Sequence, residues 1–597
     1  MTPQDDEILG KAYDARLMRR LLAYLRPYWR QVLLAFVAII AGAAGQLAQP
    51  YLIKVAIDQH IATGRLEGLD TLALWFLAIV VLGFAFEYLQ TWTLQMTGQR
   101  IMFDLRMAIY THLQRLDVQY YDRNPVGRLM TRVTSDVDAI NDLFTSGVVT
   151  VFGDIFSLVG IMAIMIGMNW RLALAAFSVL PLIVLVSQWF RRNVRESYRI
   201  VRGYIAQINA FLQENITGMS TVQLFRREAV NFSRFDDIDR KHRDANYESI
   251  FYYSVFYPAI EMVAAIASAL IIWYGGSDVL RNALTLGALV AFLQYSARFF
   301  RPISDMSEKF NVLQAAMASS ERIFRLIDEP VAIQPPSNPR VRSGEGHIVF
   351  DHVWFAYNGE DFVLRDVSFE VRPGQRIGIV GATGSGKTTL INLLLRFYDV
   401  TRGRITVDGV DIRELDLNDL RGLFSLVLQD VHLFSGTIVE NIRLGHPEID
   451  DERVRRAATS VHAHAFIERL PDGYRTAVAE RGSTLSVGQK QLLSFARALA
   501  FDPRVLILDE ATSSVDTETE LLIRDALQVL MAGRTTIAVA HRLSTIQDMD
   551  RILVFHKGQL REAGTHQELL AERGIYFKLF ELQYKSANAE APATRAS

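Results

Sequence analysis

The sequence predicts a membrane all-α domain of six transmembrane helices with long cytoplasmic extensions, followed by an α/β domain. Three observations predict it. The apolar runs of the 597-residue chain crowd into its first half. Between them lie two long arginine-rich stretches that keep apolar residues at three- and four-residue spacing. Beyond a Pro-, Gly- and Ser-rich break, short β-rich runs alternate with helical patterns.

Composition agrees with that division. The length is too great for one core. Half of the residues are hydrophobic and the mean hydropathy is +0.14, which points to a membrane portion. A net charge of -2 gives no hint of a nucleic-acid partner. With no cysteine, neither a disulfide framework nor a thiolate metal site can form. Residues 1–8 are polar and acidic, unlike a signal peptide.

A helical crossing takes about 20 residues. Six segments meet that length, near 32–55, 71–95, 144–168, 171–190, 251–274 and 286–308, the sixth being the least apolar. Arginine sets the orientation. Residues 97–143 hold Arg100, Arg106, Arg115, Arg123, Arg128 and Arg132, and 191–250 hold even more basic residues, whereas the intervening loops carry one each. The two long loops and both termini are therefore expected in the cytoplasm, and the protein in the inner (plasma) membrane. Asp14 to Arg30 mixes Leu, Tyr and Trp with five arginines and reads as an interfacial amphipathic helix. The long loops read as spanning helices that continue beyond the bilayer and turn near Tyr121–Asn124 and Gly218–Phe225. The expected domains are a membrane part over 1–330, a linker over 331–346, an α/β domain over 347–583 and a disordered tail over 584–597.

Two motifs carry chemistry. GATGSGKTT (Gly381, Ala382, Thr383, Gly384, Ser385, Gly386, Lys387, Thr388, Thr389) follows an apolar strand and opens a helix. That is the context of a phosphate loop, the P-loop, whose backbone N–H groups close around phosphate oxygens. Lys387 would reach the β- and γ-phosphates, and the Thr388 hydroxyl would ligand Mg²⁺. A chance glycine-rich turn is the competing reading, and the flanks argue against it. RVLILDEAT delivers Asp509 and Glu510 at the end of a buried strand. Asp509 would hold Mg²⁺, and Glu510 would take a proton from, or orient, an attacking water. Alone, such a strand end reads as a cap; the upstream loop strengthens it.

STLSVGQKQLLSFARAL (483–499) resembles the signature segment of ATP-binding-cassette (ABC) transporters of the exporter, half-transporter type. The resemblance covers almost the whole chain. It implies that Tyr357 stacks on adenine, and that Gln429 senses the γ-phosphate and shares the Mg²⁺ site. It makes His541 the switch histidine and Ser513–Asp516 the place where two cassettes meet. Glu480-Arg481-Gly482 match a short exporter motif. Residues 103–140 and 211–228 look like exporter coupling loops. The resemblance further implies that Ser486, Val487, Gly488 and Gln489 face the ATP of a second half-transporter, so that ATP closes the pair and hydrolysis reopens it. The family's common signature has glycine where Val487 stands, and a β-branched residue restricts the backbone and adds bulk. This departure favours a heterodimer with one weakened site over a homodimer.

The spans hold few ionisable residues: Glu87, Asp154, Glu261 and Arg298. Glu261 has Tyr252, Tyr253, Phe256 and Tyr257 beside it. This group reads equally as a receptor for a lipophilic cation or as half of a Glu–Arg pair. The resemblance favours a multidrug or lipid exporter, with peptides as a further cargo class. An ATP-gated or regulatory relative, which can dispense with the base, fits less well with Glu510 present. An importer built on the same fold is a third reading. A soluble cassette does not fit six spans, and no guanine-reading Asn-Lys-x-Asp is present to suggest a GTPase.

Overall fold

The computed structural model describes residues 14–342, 344–509, 517–539 and 546–589. The chain divides into two compact units, one of Met1–Gln114 with Val126–Glu329, the other of Arg115–Pro125 with Pro330–Ser597. The tip of the first long loop thus belongs to the second unit.

The first unit is helical. Helix α1 (Ala15–Leu25) starts because the Asp14 carboxylate accepts the N–H groups of Arg16 and Leu17. Its Leu21 is buried, and Arg20 forms a two-pronged bond to Asp328 at 2.6 and 2.9 Å while lying 4.1 Å over the Phe324 ring. Then come α2 (Trp29–Val55) and α3 (Leu69–Leu113). The short helix α4 (Val118–Arg123) falls in the second unit. The first unit resumes with α5 (Val126–Val133), α6 (Ser135–Asp142) and α7 (Val148–Met168). Asn169 breaks the path there, its side chain capping α8 (Trp170–Phe177) through Arg171 N and Leu172 N, both 3.1 Å. The long α9 (Leu180–Thr217) turns through α10 (Met219–Leu224) into α11 (Glu228–Leu270). After α12 (Gly276–Leu280), α13 (Leu286–Ile327) begins at Thr285, with Asp58 accepting from both Thr285 Oγ1 and Gly287 N.

Among the described residues, five helical stretches are long and apolar enough to cross a membrane: Ala15–Ile61, Leu69–Leu113, Val126–Met168, Trp170–Thr217 and Glu228–Leu280. The expected sixth span, 286–308, is the first half of α13 and is not one of the five. The reason is composition: Arg298, Arg301, Asp305 and Glu308 dilute its apolar residues. At 45, 38, 43 and 42 residues, α3, α9, α11 and α13 far exceed the ~20 that cross a bilayer. The two expected turns are where helices break, around α4 and α10.

Two of the four span charges, Asp154 and Arg298, are partnered inside this unit. Asp154 on α7 pairs with Lys309 on α13. Arg298 donates to the Gln46 carbonyl and, at 2.9 Å, to Gln49 Oε1. The alternative of a Glu261–Arg298 pair is not what forms. Glu261 is exposed and makes no ion pair among the described residues. Earlier on the same helix, Phe256 stacks on Phe190 of α9 at 4.0 Å, and Tyr253 meets Phe190 edge-on at 5.1 Å.

The second unit holds two main sheets. β1 (Ile348–Ala356), β2 (Phe362–Val371), β4 (Arg402–Val407) and β5 (Val410–Asp411) form an antiparallel sheet in the order β2-β1-β4-β5. β3 (Arg376–Gly381), β6 (Phe424–Val427), β9 (Val505–Asp509), β10 (Thr535–Val539), β11 (Arg551–His556) and β12 (Gln559–Gly564) form a sheet ordered β12-β11-β3-β10-β9-β6. All of its pairs are parallel except β11–β12. A two-stranded ribbon joins β7 (Gly436–Thr437) to β8 (Ala477–Val478).

The β-rich runs HIVFDHVWF, RIGIVG, RVLILD and TTIAVA become β1, β3, β9 and β10, but the first joins the antiparallel sheet instead of the parallel one. Its alternating burial explains this: Ile348, Phe350, Val353 and Phe355 point inward, as a strand with one wet face requires. β9 differs. Val505 and Ile507 enter one core while Leu506 and Leu508 enter another, so the strand is apolar throughout. The last helix, Ile575–Ala589, runs into the stretch from 584 that was expected to be disordered, since Tyr584, Lys585 and two alanines suit a helix.

Asp408 ties the linker to this unit. With Gly409 it makes the two-residue turn between β4 and β5, both residues at positive φ (52° and 78°), as a primed hairpin turn demands. Its side chain is 0% exposed and accepts the N–H groups of Gly344, Gly346 and His347 at 2.8–2.9 Å. We predict that Asp408→Ala strands these donors at a cost of about 3 kcal/mol. Calorimetry of the purified chain should show the second unit melting about 5–10 °C lower; an unchanged transition would contradict this role.

Candidate active site

The site grows from the loop between β3 and α14 (Lys387–Leu394). Gly384 and Gly386 stand at φ 79° and 97°, which lets the chain double back tightly. A Cβ on Gly386 would meet Leu364 Cδ2 at 2.6 Å, and one on Gly381 would meet the Phe555 carbonyl oxygen at 2.3 Å. No side chain caps α14. The N–H groups of its first turn therefore have no protein partner from a cap and present positive dipole to an anion.

Lys387 opens α14 and is 6% exposed. Its ammonium curls over the loop and donates to the carbonyls of Gly381 (2.7 Å) and Ala382 (3.2 Å). Ser385 Oγ is buried and has no hydrogen-bond partner among the described residues, an orphan polar atom inside the cradle. Thr383 and Thr388 are exposed, and Thr389 is buried. Such a ring of donors, one cation and one spare hydroxyl fits a polyphosphate.

Strand register brings the carboxylate alongside. Ile379 of β3 and Asp509 of β9 both pair with Val539 of β10, so the loop and Asp509 share the C-terminal edge of the sheet. β6 flanks β9, and Gln429 follows two residues after it, exposed. Thr388, Gln429 and Asp509 offer a hydroxyl, a carboxamide oxygen and a carboxylate, a hard oxygen set that suits Mg²⁺. Tyr357 follows β1 directly; its hydroxyl lies 3.1 Å from Thr389 Oγ1, which joins it to the phosphate-loop helix. Glu510, Ser513, Ser514, Val515, Asp516 and His541 lie outside the described residues.

The signature helix, Val487–Ala500, begins differently from α14. Ser486 Oγ accepts Gln489 N (3.2 Å) while Gln489 Oε1 accepts Ser486 N (3.0 Å), a complete capping box. Since the Ser486 oxygen accepts inward, its own proton can point outward. Val487 is the first helical residue and is 57% exposed, so its branches lie in solvent and the helix start is undistorted. Gly488 is buried behind it. Of the two effects expected of Val487, bulk remains and backbone restriction does not.

Sequence reasoning missed what holds these pieces in place. Arg497, deep in the signature helix, donates to the carbonyls of Asn441 (2.9 Å) and His432 (3.1 Å). Burial pulls its guanidinium below the ordinary value. Asn441 exchanges two 2.8 Å bonds with the Phe434 backbone, pinning the loop that follows Gln429. Tyr398, 5% exposed, meets the Tyr357 ring edge-on at 5.1 Å. Burial, and then its bond to Asp122, push its phenol well above the usual range, so it stays protonated. In sequence each of these looks like an ordinary helix or core residue.

Known proteins share both parts. The description "ABC transporter transmembrane region" matches residues 32–303, and "ABC transporter" matches 364–513. An uncharacterized ABC transporter ATP-binding protein, YknV of Bacillus subtilis, is 40% identical over 98% of this chain and 97% of its own length. An ATP-dependent lipid A-core flippase of Thiobacillus denitrificans is 35% identical over 95% of this chain and 98% of its own. Among solved structures, a bacterial Atm1-family ABC exporter with ATP bound matches with a TM-score of 0.76 at 30% identity, covering 94% of this chain and 99% of that one. With a membrane part of spanning helices, an ATP-binding cassette behind it and relatives that align along nearly their full length, the chain belongs to the ABC transporters, as an exporter half-transporter that must dimerise and couples ATP hydrolysis to transport.

Proposed function

We propose that this half-transporter exports a hydrophobic or amphipathic substrate (a drug-like molecule, a lipid or a peptide) from a bacterial inner membrane, with its cassette and both termini in the cytoplasm. The observation that carries the reading is the uncapped start of α14, with buried Lys387, on the same sheet edge as Asp509. Relatives named for lipid A-core and for fatty acid support the substrate class, the latter a Mycobacterium tuberculosis ABC transporter 38% identical over 85% of this chain. Exposed Glu261, with exposed Tyr257 four residues before it on α11, would suit a cationic amphiphile.

In this reading Tyr357 stacks on adenine, and Gly381 to Thr389 wrap the phosphates. Lys387 leaves the loop carbonyls for the β- and γ-phosphates. Thr388, Gln429 and Asp509 would hold Mg²⁺, which when bound neutralises charge on the transferred phosphoryl group. Glu510 accepts the proton of the attacking water. Gln429 and His541 read the γ-phosphate. Ser486 turns its hydroxyl proton, and the helix behind it its dipole, toward the ATP of the partner half. ATP thereby draws two cassettes together, and hydrolysis releases them, which supplies the two states that coupling needs. Val487 puts added bulk at the partner's phosphate and favours a heterodimer.

Glu510→Gln should lower Mg-ATPase activity of the assembled transporter by at least about 100-fold while ATP still binds. Chelating Mg²⁺ should also stop turnover. Unchanged hydrolysis in the variant would remove Glu510 from the role of base. Purified alone, the chain should be monomeric or slow to hydrolyse ATP, as mass photometry and phosphate release would report. A steady dimer with full activity that vanishes in Glu510→Gln would make it a homodimer tolerant of Val487.

A further inference from the structure

We propose that Tyr398 is a positioning residue that ties α4, the tip of the first long loop, to the aromatic ring that stacks on the nucleotide base. The inference rests on Tyr357 being that ring.

A chain of contacts within the second unit makes the connection. The buried Tyr398 phenol donates to the Asp122 carboxylate on α4. Its ring meets Tyr357 edge-on, with centroids 5.1 Å apart and planes at 89°. Phe355 closes the corner, 4.8 Å from Tyr357 and 5.6 Å from Tyr398. On the far side the Tyr357 hydroxyl reaches Thr389 of α14. Arg123, the neighbour of Asp122, donates to the Tyr357 carbonyl and to Asn358 Oδ1, each at 3.4 Å. Thus α4 touches Tyr357 twice, through its backbone and through Tyr398.

A stacking ring acts through its plane. Base contact is lost when the ring tilts, though the phosphate contacts stay. Tyr357 has one face for a base, and edge contacts from Phe355 and Tyr398 set its tilt. Tyr398 is in turn set by Asp122, its hydrogen-bond partner, and a buried phenol needs such a partner. Anything that displaces α4 therefore reaches the base, and a bound base steadies α4.

The distinguishing probe is a ligand without a base. Calorimetric affinities for ATP and for inorganic tripolyphosphate should be measured on the full chain, with Tyr398→Phe, Asp122→Ala, their double variant and Tyr398→Leu. The Phe and Ala variants should each weaken ATP about threefold to tenfold, a part of what one hydrogen bond to a carboxylate is worth, with the double no weaker than the worse single. Tyr398→Leu, which also removes the ring edge, should weaken ATP at least as much. Tripolyphosphate affinity should stay within about twofold, as its contacts are those of the phosphate loop alone. Unchanged ATP affinity in Tyr398→Phe, additive effects in the double variant, or equal losses for both ligands would each overturn the proposal. Tyr357→Ala separates the two assignments: if it leaves ATP affinity intact, the base-stacking role of Tyr357 is what fails.

Discussion

The parallel register of β3, β10 and β9 is the constraint on which the chemistry depends. Val539 lies between Ile379 and Asp509, so the phosphate loop and the carboxylate leave the sheet at the same level. A slip of one residue would turn Asp509 to the other face and bury its charge. The two cores hold that register. β9 sends Val505 and Ile507 one way and Leu506 and Leu508 the other, so no half of it can move without opening a cavity. The helices that carry Lys387 and Ser486 pack on these same cores, through Leu390 and Leu393 in one and Leu492 and Phe495 in the other.

Two helix starts divide the work of holding anions. α14 starts without a side-chain cap among the described residues, which leaves its first N–H groups open. The signature helix starts with a full capping box, so its order does not wait for a ligand. The first start leaves bonds for a ligand to complete; the second presents a finished surface. In the proposed pairing, each ATP would meet one responsive and one rigid wall.

Much of this was legible. A phosphate loop is a local device, so GATGSGKTT announces its strand, its turn and its helix, and Gly384 and Gly386 take the positive φ that the motif requires. The Asp-Gly turn at 408–409 is equally local. The sheet assignment of β1 was not, because alternation marks one wet face without saying which sheet provides the other strands. The apolar spans were readable by hydropathy until charge entered: α13 mixes Arg298 and Lys309 with apolar residues, and what makes those cations tolerable is Gln46, Gln49 and Asp154, residues about 150 to 250 positions away. Tyr398 was hidden for the same reason. Its meaning comes from Asp122, which is 276 positions distant.

The length of α3 has a mechanical consequence. Forty-five residues make a rod about 67 Å long, and only about 30 Å of it fits the hydrocarbon core. Such a rod works as a lever. Pivoting by about 5° about its middle sweeps each end through roughly 3 Å, comparable with the reach of one hydrogen bond. Its C-terminal end at Leu113 is joined, through four residues, to α4. Pivoted about its middle, the rod carries a displacement of its Leu113 end to its other end undiminished and reversed in direction, so a shift of a few ångströms is neither absorbed nor enlarged along the helix.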